Sequence, residues 1–303
     1  MAKIPPDFAL PIPPLFSFRE CLWFLDRNYD DIMHRVTETS VIKPFRVGTS
    51  VSLLEISEKS NHLIVQFRGG DLADEALLRE QVTALFDLEA DLAPFYEHLR
   101  TDSDLAFMAD DYYGLRLIGI PDLFEALCWS IIGQQINLTF AYTLKRRLVE
   151  LVGEKITYQG HVFYGFPTPE HMAALTVEQL RLLQFSGRKA EYLIGVARAF
   201  AAGEISKAQL LALPTSEAMV QTLTSLRGIG EWTAHYALMK SLKIPTSVPY
   251  GDVGLYNALF TLKGLPKRPS RAELASVFDA FKGWEAYLTL YLWRSLAAPK
   301  PNV

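Results

Sequence analysis

Asp252 stands just before the apolar run VGLYNALFTL and about twenty residues after the turn Arg227-Gly228-Ile229-Gly230. An aspartate ahead of a helix caps its free amides, and the cap and the helix dipole together keep the carboxylate ionised. The turn lies between a helix ending near Leu226 and another running from Glu231 to about Lys240. Two glycines allow positive φ or close backbone approach, while Ile229 between them plugs the turn into the core. The amides of Gly228 and Gly230 and the start of the Glu231 helix are then suited to an anion such as a DNA phosphate. Trp232 and Tyr236, four residues apart, share one face of that helix, and Trp284 with Tyr287 offers a second aromatic surface near the C-terminus. Gly133-Gln134-Gln135-Ile136-Asn137 forms a polar corner where one apolar helix ends and the next begins.

Two kinds of architecture are needed to position these groups. The 303 residues are half hydrophobic and carry a net charge of −4, enough for a large core shared by two domains. The negative balance weighs mildly against a nucleic-acid partner, although a local patch and helix N-termini can bind phosphate in an acidic protein. No apolar run is long enough for a membrane span, and the start MAKIPPDFALPIPP lacks the pattern of a secretory signal, so a cytoplasmic protein is expected. Cys21 and Cys128 stand in apolar surroundings as buried thiols, and His161, His171 and His235 are isolated, so no metal or cofactor is implied.

After the proline-rich start, apolar spacing predicts a helix from Ser17 to Asn28. β-formers over 41–56 and 62–67, separated by Ser57-Glu58-Lys59-Ser60-Asn61, predict a hairpin, and 72–99 returns to helix. The first 115 residues therefore read as a small α+β domain, an antiparallel sheet with helices on one side. From Pro121 the pattern is helical: 122–136, 138–152, 170–183, 188–202, 206–226, the hairpin, 252–263, 270–281 and 284–297. Residues 116–303 thus form an all-α domain in this reading. Lys145-Arg146-Arg147 reads as a solvated helix face.

LRGIGEWTA at 226–234 with Asp252 downstream, and FEALCWSIIGQQIN at 124–137 upstream, resemble the helix-hairpin-helix DNA glycosylases, in particular the DNA-3-methyladenine glycosylase II, or AlkA-type, branch. The resemblance runs from about Leu15 to Leu296. It implies duplex DNA containing alkylated bases as the partner, bound by a monomer, with Asp252 as the catalytic residue. Gly228, Ile229, Gly230 and Thr233 would contact DNA phosphate. Gln134, Trp232, Tyr236, Trp284 and Phe18 (or Phe16) would line the pocket for a flipped base, and Gln135 would be the wedge that fills the gap. Some AlkA-type enzymes carry an apolar wedge, from which Gln135 departs. An aromatic cavity suits cationic bases such as 3-methyladenine and 7-methylguanine.

Position 232 separates two mechanisms. Bifunctional relatives of the endonuclease III and oxoguanine type carry there a lysine that forms a Schiff base with C1′. Trp232 supplies no such amine, so the expectation is a monofunctional enzyme that hydrolyses the glycosidic bond and leaves the strand intact. Two cysteines cannot bind the four-cysteine iron–sulfur cluster of endonuclease III-like proteins. Beside this reading stand a non-catalytic DNA-binding module, in which Asp252 is only a cap, and a glycosylase for oxidised or deaminated bases. Release of bases from defined lesions separates the three.

Overall fold

The computed structural model describes residues 7–26 and 31–297. The end of the first expected helix, at Asn28, and the first six residues of the proline-rich start lie outside them. Five strands, β1 (Phe8–Pro11), β2 (Arg35–Val36), β3 (Ser40–Val47), β4 (Ser50–Lys59) and β5 (His62–Gly70), form an antiparallel sheet in the order β1-β5-β4-β3-β2. The expected strand over 41–56 is in fact two, because Gly48, at φ +58°, turns the chain back between β3 and β4. Alternation assigns the two faces. Val41, Phe45, Leu54, Ile56, Leu63 and Val65 point into a core with α1 (Phe18–Leu25), α2 (Glu75–Phe86), α3 (Ala93–Thr101) and α4 (Met108–Asp111). Asp74 caps α2, and its buried Leu78, Val82, Leu85 and Phe86 keep the spacing of one helix face.

The opposite face of the sheet, at Ile42, Val51 and Leu53, is covered by Ile156 and Phe163. These belong to a second hairpin, β6 (Lys155–Tyr158) with β7 (His161–Tyr164), which lies between the expected helices 138–152 and 170–183 in a domain expected to be all-α. Its strands are four residues each, shorter than a helical window, and the turn at Gln159-Gly160 uses positive φ at both positions.

The helical part begins with α5 (Leu123–Gly133) and α6 (Leu138–Val152). After the hairpin come α7 (Pro169–Ala173), α8 (Val177–Leu182), α9 (Gly187–Ala201), α10 (Lys207–Leu211) and α11 (Ser216–Thr224). Two expected helices are each divided: Thr176 caps α8 in a reciprocal capping box with Gln179, and Pro214 precedes the Thr215 cap of α11. The helix after the turn, α12 (Glu231–Ala237), continues as a π-helical segment over Leu238–Leu242. Then follow α13 (Val253–Leu262), α14 (Arg271–Asp279) and α15 (Glu285–Ser295).

The large cores do not follow the order of the chain. Residues 123–242 supply nearly all of one core, to which Met33 is added. The other joins the sheet and helices of residues 8–118 to Val248, α13, α14 and α15. Lys207 Nζ donates to the Pro121 and Ser241 carbonyls at 3.0 and 2.8 Å, and Lys240 and Lys243 donate to those of Ile118 and Leu117, so the connecting segment is tied to the end of the hairpin helix. Among the described residues no helix is long and apolar enough to cross a membrane.

One buried ion pair fixes α15 against α1. Arg294 Nε lies 3.3 Å from Glu20 Oε2, the two side chains 5% and 4% exposed, and the guanidinium stacks on Trp23 at 3.6 Å and Tyr112 at 4.6 Å. Glu20→Ala leaves that cation buried without its partner. A loss of about 3–5 kcal/mol is expected, measured as a lower urea midpoint at unchanged slope.

Candidate active site at the seam of the two cores

Asp252 sits where the cores meet. Its backbone is extended (φ −67°, ψ 117°), and Oδ1 accepts from the Leu255 amide at 3.2 Å and from Trp293 Nε1 at 3.0 Å. Oδ2 has no hydrogen-bond partner among the described residues. Capping and the indole thus fix one oxygen and leave the other for a reacting group. Trp293 comes from α15, whose neighbouring Arg294 is anchored by Glu20, so packing far from the carboxylate sets the direction of the indole.

An aromatic wall continues from Trp293. Its ring centroid lies 6.2 Å from that of Tyr236, which stacks on Trp232 at 5.7 Å with planes 25° apart. Behind them Trp129 of α5 donates from Nε1 to Tyr236 Oη at 3.0 Å. Trp129 packs against the helical core, and Trp232 and Tyr236 stand on α12, which gives Ala234 and Ala237 to it; Trp293 packs against the core that includes the sheet, and Asp252 caps α13, which gives Leu255, Ala258 and Leu259 to that one.

Two residues expected in this pocket are packed elsewhere. Phe18 is 4% exposed, with its ring 5.7 Å from Phe86, and Phe16 lies on the same Phe86 at 6.4 Å. Trp284 packs at 5.9 Å from Phe95 and 5.7 Å from Tyr287. Trp284 and Trp293 are nine residues apart, about half a turn out of phase at 100° per residue, so they leave the helix on opposite sides. Trp293, on the side away from Trp284, is the tryptophan that reaches Asp252 and Tyr236.

The turn residues divide in the same way. Gly228 has φ +95°, Ile229 is buried at 5% exposure, and Gly230 begins α12 with no side-chain cap, which leaves amides at the helix start without intrahelical partners. Thr233, expected at the phosphate, is 1% exposed, and its hydroxyl accepts from Gln134 Nε2 at 3.0 Å. The same nitrogen donates to the Gly228 carbonyl at 3.0 Å. Gln134 therefore clips the α5–α6 corner to the turn, where the sequence reading had it facing the base. Gln135 is exposed at the tip of that corner in the left-handed conformation (φ +57°). Corner and turn frame a cleft of about 440 Å³, also lined by Arg188, Lys189 and Tyr192. Glu231, the first residue of α12, pairs with Arg271 at 3.4 Å, each 66% exposed.

Residues 128–281 match the family model described as HhH-GPD superfamily base excision DNA repair protein, and residues 7–122 match the AlkA N-terminal domain. The chain belongs to the HhH-GPD superfamily. It is 39% identical over 293 residues to a DNA-3-methyladenine glycosylase of Bacillus subtilis strain 168, covering 95% of this chain and 96% of that one. In fold it is similar to a 3-methyladenine DNA glycosylase from Archaeoglobus fulgidus, with a TM-score of 0.82 at 22% identity over 95% of this chain and 97% of that one. A Schizosaccharomyces pombe 3-methyladenine DNA glycosylase in complex with abasic DNA aligns with TM-score 0.56 at 25% identity, over 69% of this chain and all of that one (100%).

Within this superfamily member, Trp293 and Trp129 are the residues of the candidate site that the sequence does not single out, bonded to Asp252 and Tyr236. A signal for Trp293 was present: a second tryptophan in an otherwise apolar final helix has an N–H that needs a partner when partly buried. Trp293→Phe keeps a ring and removes that donor to Asp252. Base release is expected to fall by about 10- to 100-fold, the range for a hydrogen bond to a charged group, with little change in DNA affinity; single-turnover rates and a DNA titration check both.

Proposed function

We propose that the protein is a monofunctional DNA glycosylase that removes alkylated bases, 3-methyladenine and 7-methylguanine among them, from duplex DNA by hydrolysis. The observation that carries this reading is the join between Asp252 and the Trp293–Tyr236–Trp232 wall through one indole hydrogen bond. A base stacked on that wall would place its sugar near Asp252. Electron-rich rings favour a base made cationic by alkylation, and that same charge weakens the glycosidic bond. As the bond breaks, C1′ gains positive character, which the carboxylate stabilises more in the transition state than in the ground state. Its free Oδ2 is available to orient the attacking water.

Extrusion of the nucleotide costs a few kcal/mol of unstacking. In this reading Gln135 enters the gap, while the Gly228–Gly230 turn and the first amides of α12 hold the backbone phosphate. One chain supplies both carboxylate and wall, so it acts as a monomer.

The test is incubation with duplexes carrying single defined lesions, without added metal, followed by separate measurement of free base and strand breaks. Free alkylated base with strands that break only after alkali is expected. Strand breaks before alkali would mean that an amine had been overlooked. Release confined to oxidised or deaminated bases would replace the substrate assignment, and binding without release would leave a non-catalytic DNA-binding protein.

A further inference from the structure

Lys145 is the first residue of the basic run on α6, yet it points inward and is only 8% exposed. Its Nζ lies 2.7 Å from Asp31 Oδ2, with the two side chains 11% and 8% exposed. Burial by itself would raise the Asp31 carboxyl and lower the Lys145 ammonium. Their mutual attraction and hydrogen bond, together with His34 and the Met33 amide at Asp31 and with Glu125 and Tyr142 at Lys145, outweigh burial, so the carboxyl is shifted down and the ammonium up. Asp31 is held in turn by the Met33 amide at 2.9 Å and lies 3.8 Å from His34 Nδ1.

Such a pair is poor evidence of stabilisation, because apolar side chains of equal volume often serve as well. What it touches gives it another use. The ammonium sits 5.3 Å from the Trp129 ring centroid and 5.6 Å from that of Tyr142, and the two rings lie 4.7 Å apart. Trp129 is thereby held between a cation and a neighbouring ring. An indole N–H can only donate, so in the Trp129–Tyr236 bond the phenol oxygen is the acceptor. That bond holds the outer end of the Tyr236 ring, and Tyr236 is the ring between Trp232 and Trp293.

We propose that Lys145, locked by Asp31, is a positioning residue for the base-binding wall and acts through Trp129 on Tyr236. The proposal rests on the functional reading above. It assigns this interior ion pair a role in the rate of base release and none in DNA capture.

The experiment compares Trp129→Phe, Tyr236→Phe, their double variant, Lys145→Met and Lys145→Arg in single-turnover release of 7-methylguanine. The exponential rate reports the site, and the amplitude reports the folded fraction. Trp129→Phe and Tyr236→Phe should each slow the rate by about tenfold, the size of one neutral hydrogen bond, and the double variant should be no slower than either. Lys145→Met should show the same slowing at unchanged affinity for an abasic-site duplex, and Lys145→Arg should recover to within about threefold of wild type by supplying another cation to Asp31 and the ring. Near-ultraviolet circular dichroism of the aromatic cluster should change in Lys145→Met and return in Lys145→Arg. Multiplying effects in the double variant, or a Lys145→Met protein that loses amplitude but keeps the wild-type rate and dichroism, would overturn the proposal. A wild-type protein that releases no base would overturn the functional reading instead, and the dichroism, which needs no substrate, would still decide whether the tether exists.

Discussion

Asp252→Asn is expected to lower single-turnover base release by about 10³-fold, the scale set by losing a preorganised charge together with a proton acceptor. The substitution is nearly isosteric. An asparagine Oδ1 can still accept from the Leu255 amide and from Trp293 Nε1, so the cap and the indole stay in place. What changes is the charge facing C1′ and the basicity of the second oxygen. Stability is therefore expected to stay within about 1 kcal/mol of wild type, and affinity for abasic-site duplex to be equal or tighter, since a carboxylate repels phosphate. Release kinetics, a thermal melt and a DNA titration check the three parts. Retention of a tenth or more of the wild-type rate would remove Asp252 from the chemistry and leave it a cap.

Gly228→Ala should be the most damaging single-methyl change in the turn proposed to bind phosphate. A Cβ built there falls 2.2 Å from Cγ of Tyr192 and 2.6 Å from its Cβ, and φ is +95°. Those atoms are at the root of the tyrosine side chain, so rotation about its outer bonds gives no relief. Overpacking of this kind costs about 1–3 kcal/mol, and the left-handed backbone adds about 1–2 kcal/mol for a residue with a Cβ. The turn must shift, and with it the Gly228 carbonyl that Gln134 holds and the amides that begin α12. DNA binding is expected to weaken at least tenfold, with a flatter dependence on salt as a phosphate contact is lost. Tyr192→Gly in the Gly228→Ala background removes both clashing atoms and should restore part of the affinity. If the single variant binds DNA with wild-type affinity and salt slope, the turn is no phosphate site.

The turn, the aspartate cap and the aromatic pair at 232 and 236 were legible in the sequence because each rests on local rules: glycine conformation, capping preference and helical spacing. The sheet was legible from alternation, although Gly48 had to be recognised as a turn to separate β3 from β4. What escaped depends on long-range direction. Trp284 and Trp293 are equally good aromatic candidates by type, and only the packing of α15 against α1 and Phe95 decides which one reaches Asp252. Gln134 and Thr233 stand out in the sequence as candidates, for the base pocket and for phosphate, but nothing local shows that they bond to each other. Lys145 was misread for a similar reason. A run of three cations gives no sign that one of them meets an aspartate 114 positions away. The β6–β7 hairpin did leave a trace, the alternation in ITYQGHVFY around Gln159-Gly160.

The way the two cores are threaded also bears on how the chain can be made. The helical core draws almost entirely on residues 123–242, so its contacts are available once that stretch has left the ribosome. The sheet is synthesised earlier, yet its core includes Tyr287, Leu288, Leu290, Tyr291 and Leu292, which come last. Domains commonly fold from the N-terminus as they emerge. Here Phe95, Tyr96 and Tyr112 of the first part stay without their α15 partner Tyr291 through most of translation, and Asp252 gains its indole donor only once α15 has been made and packs against them.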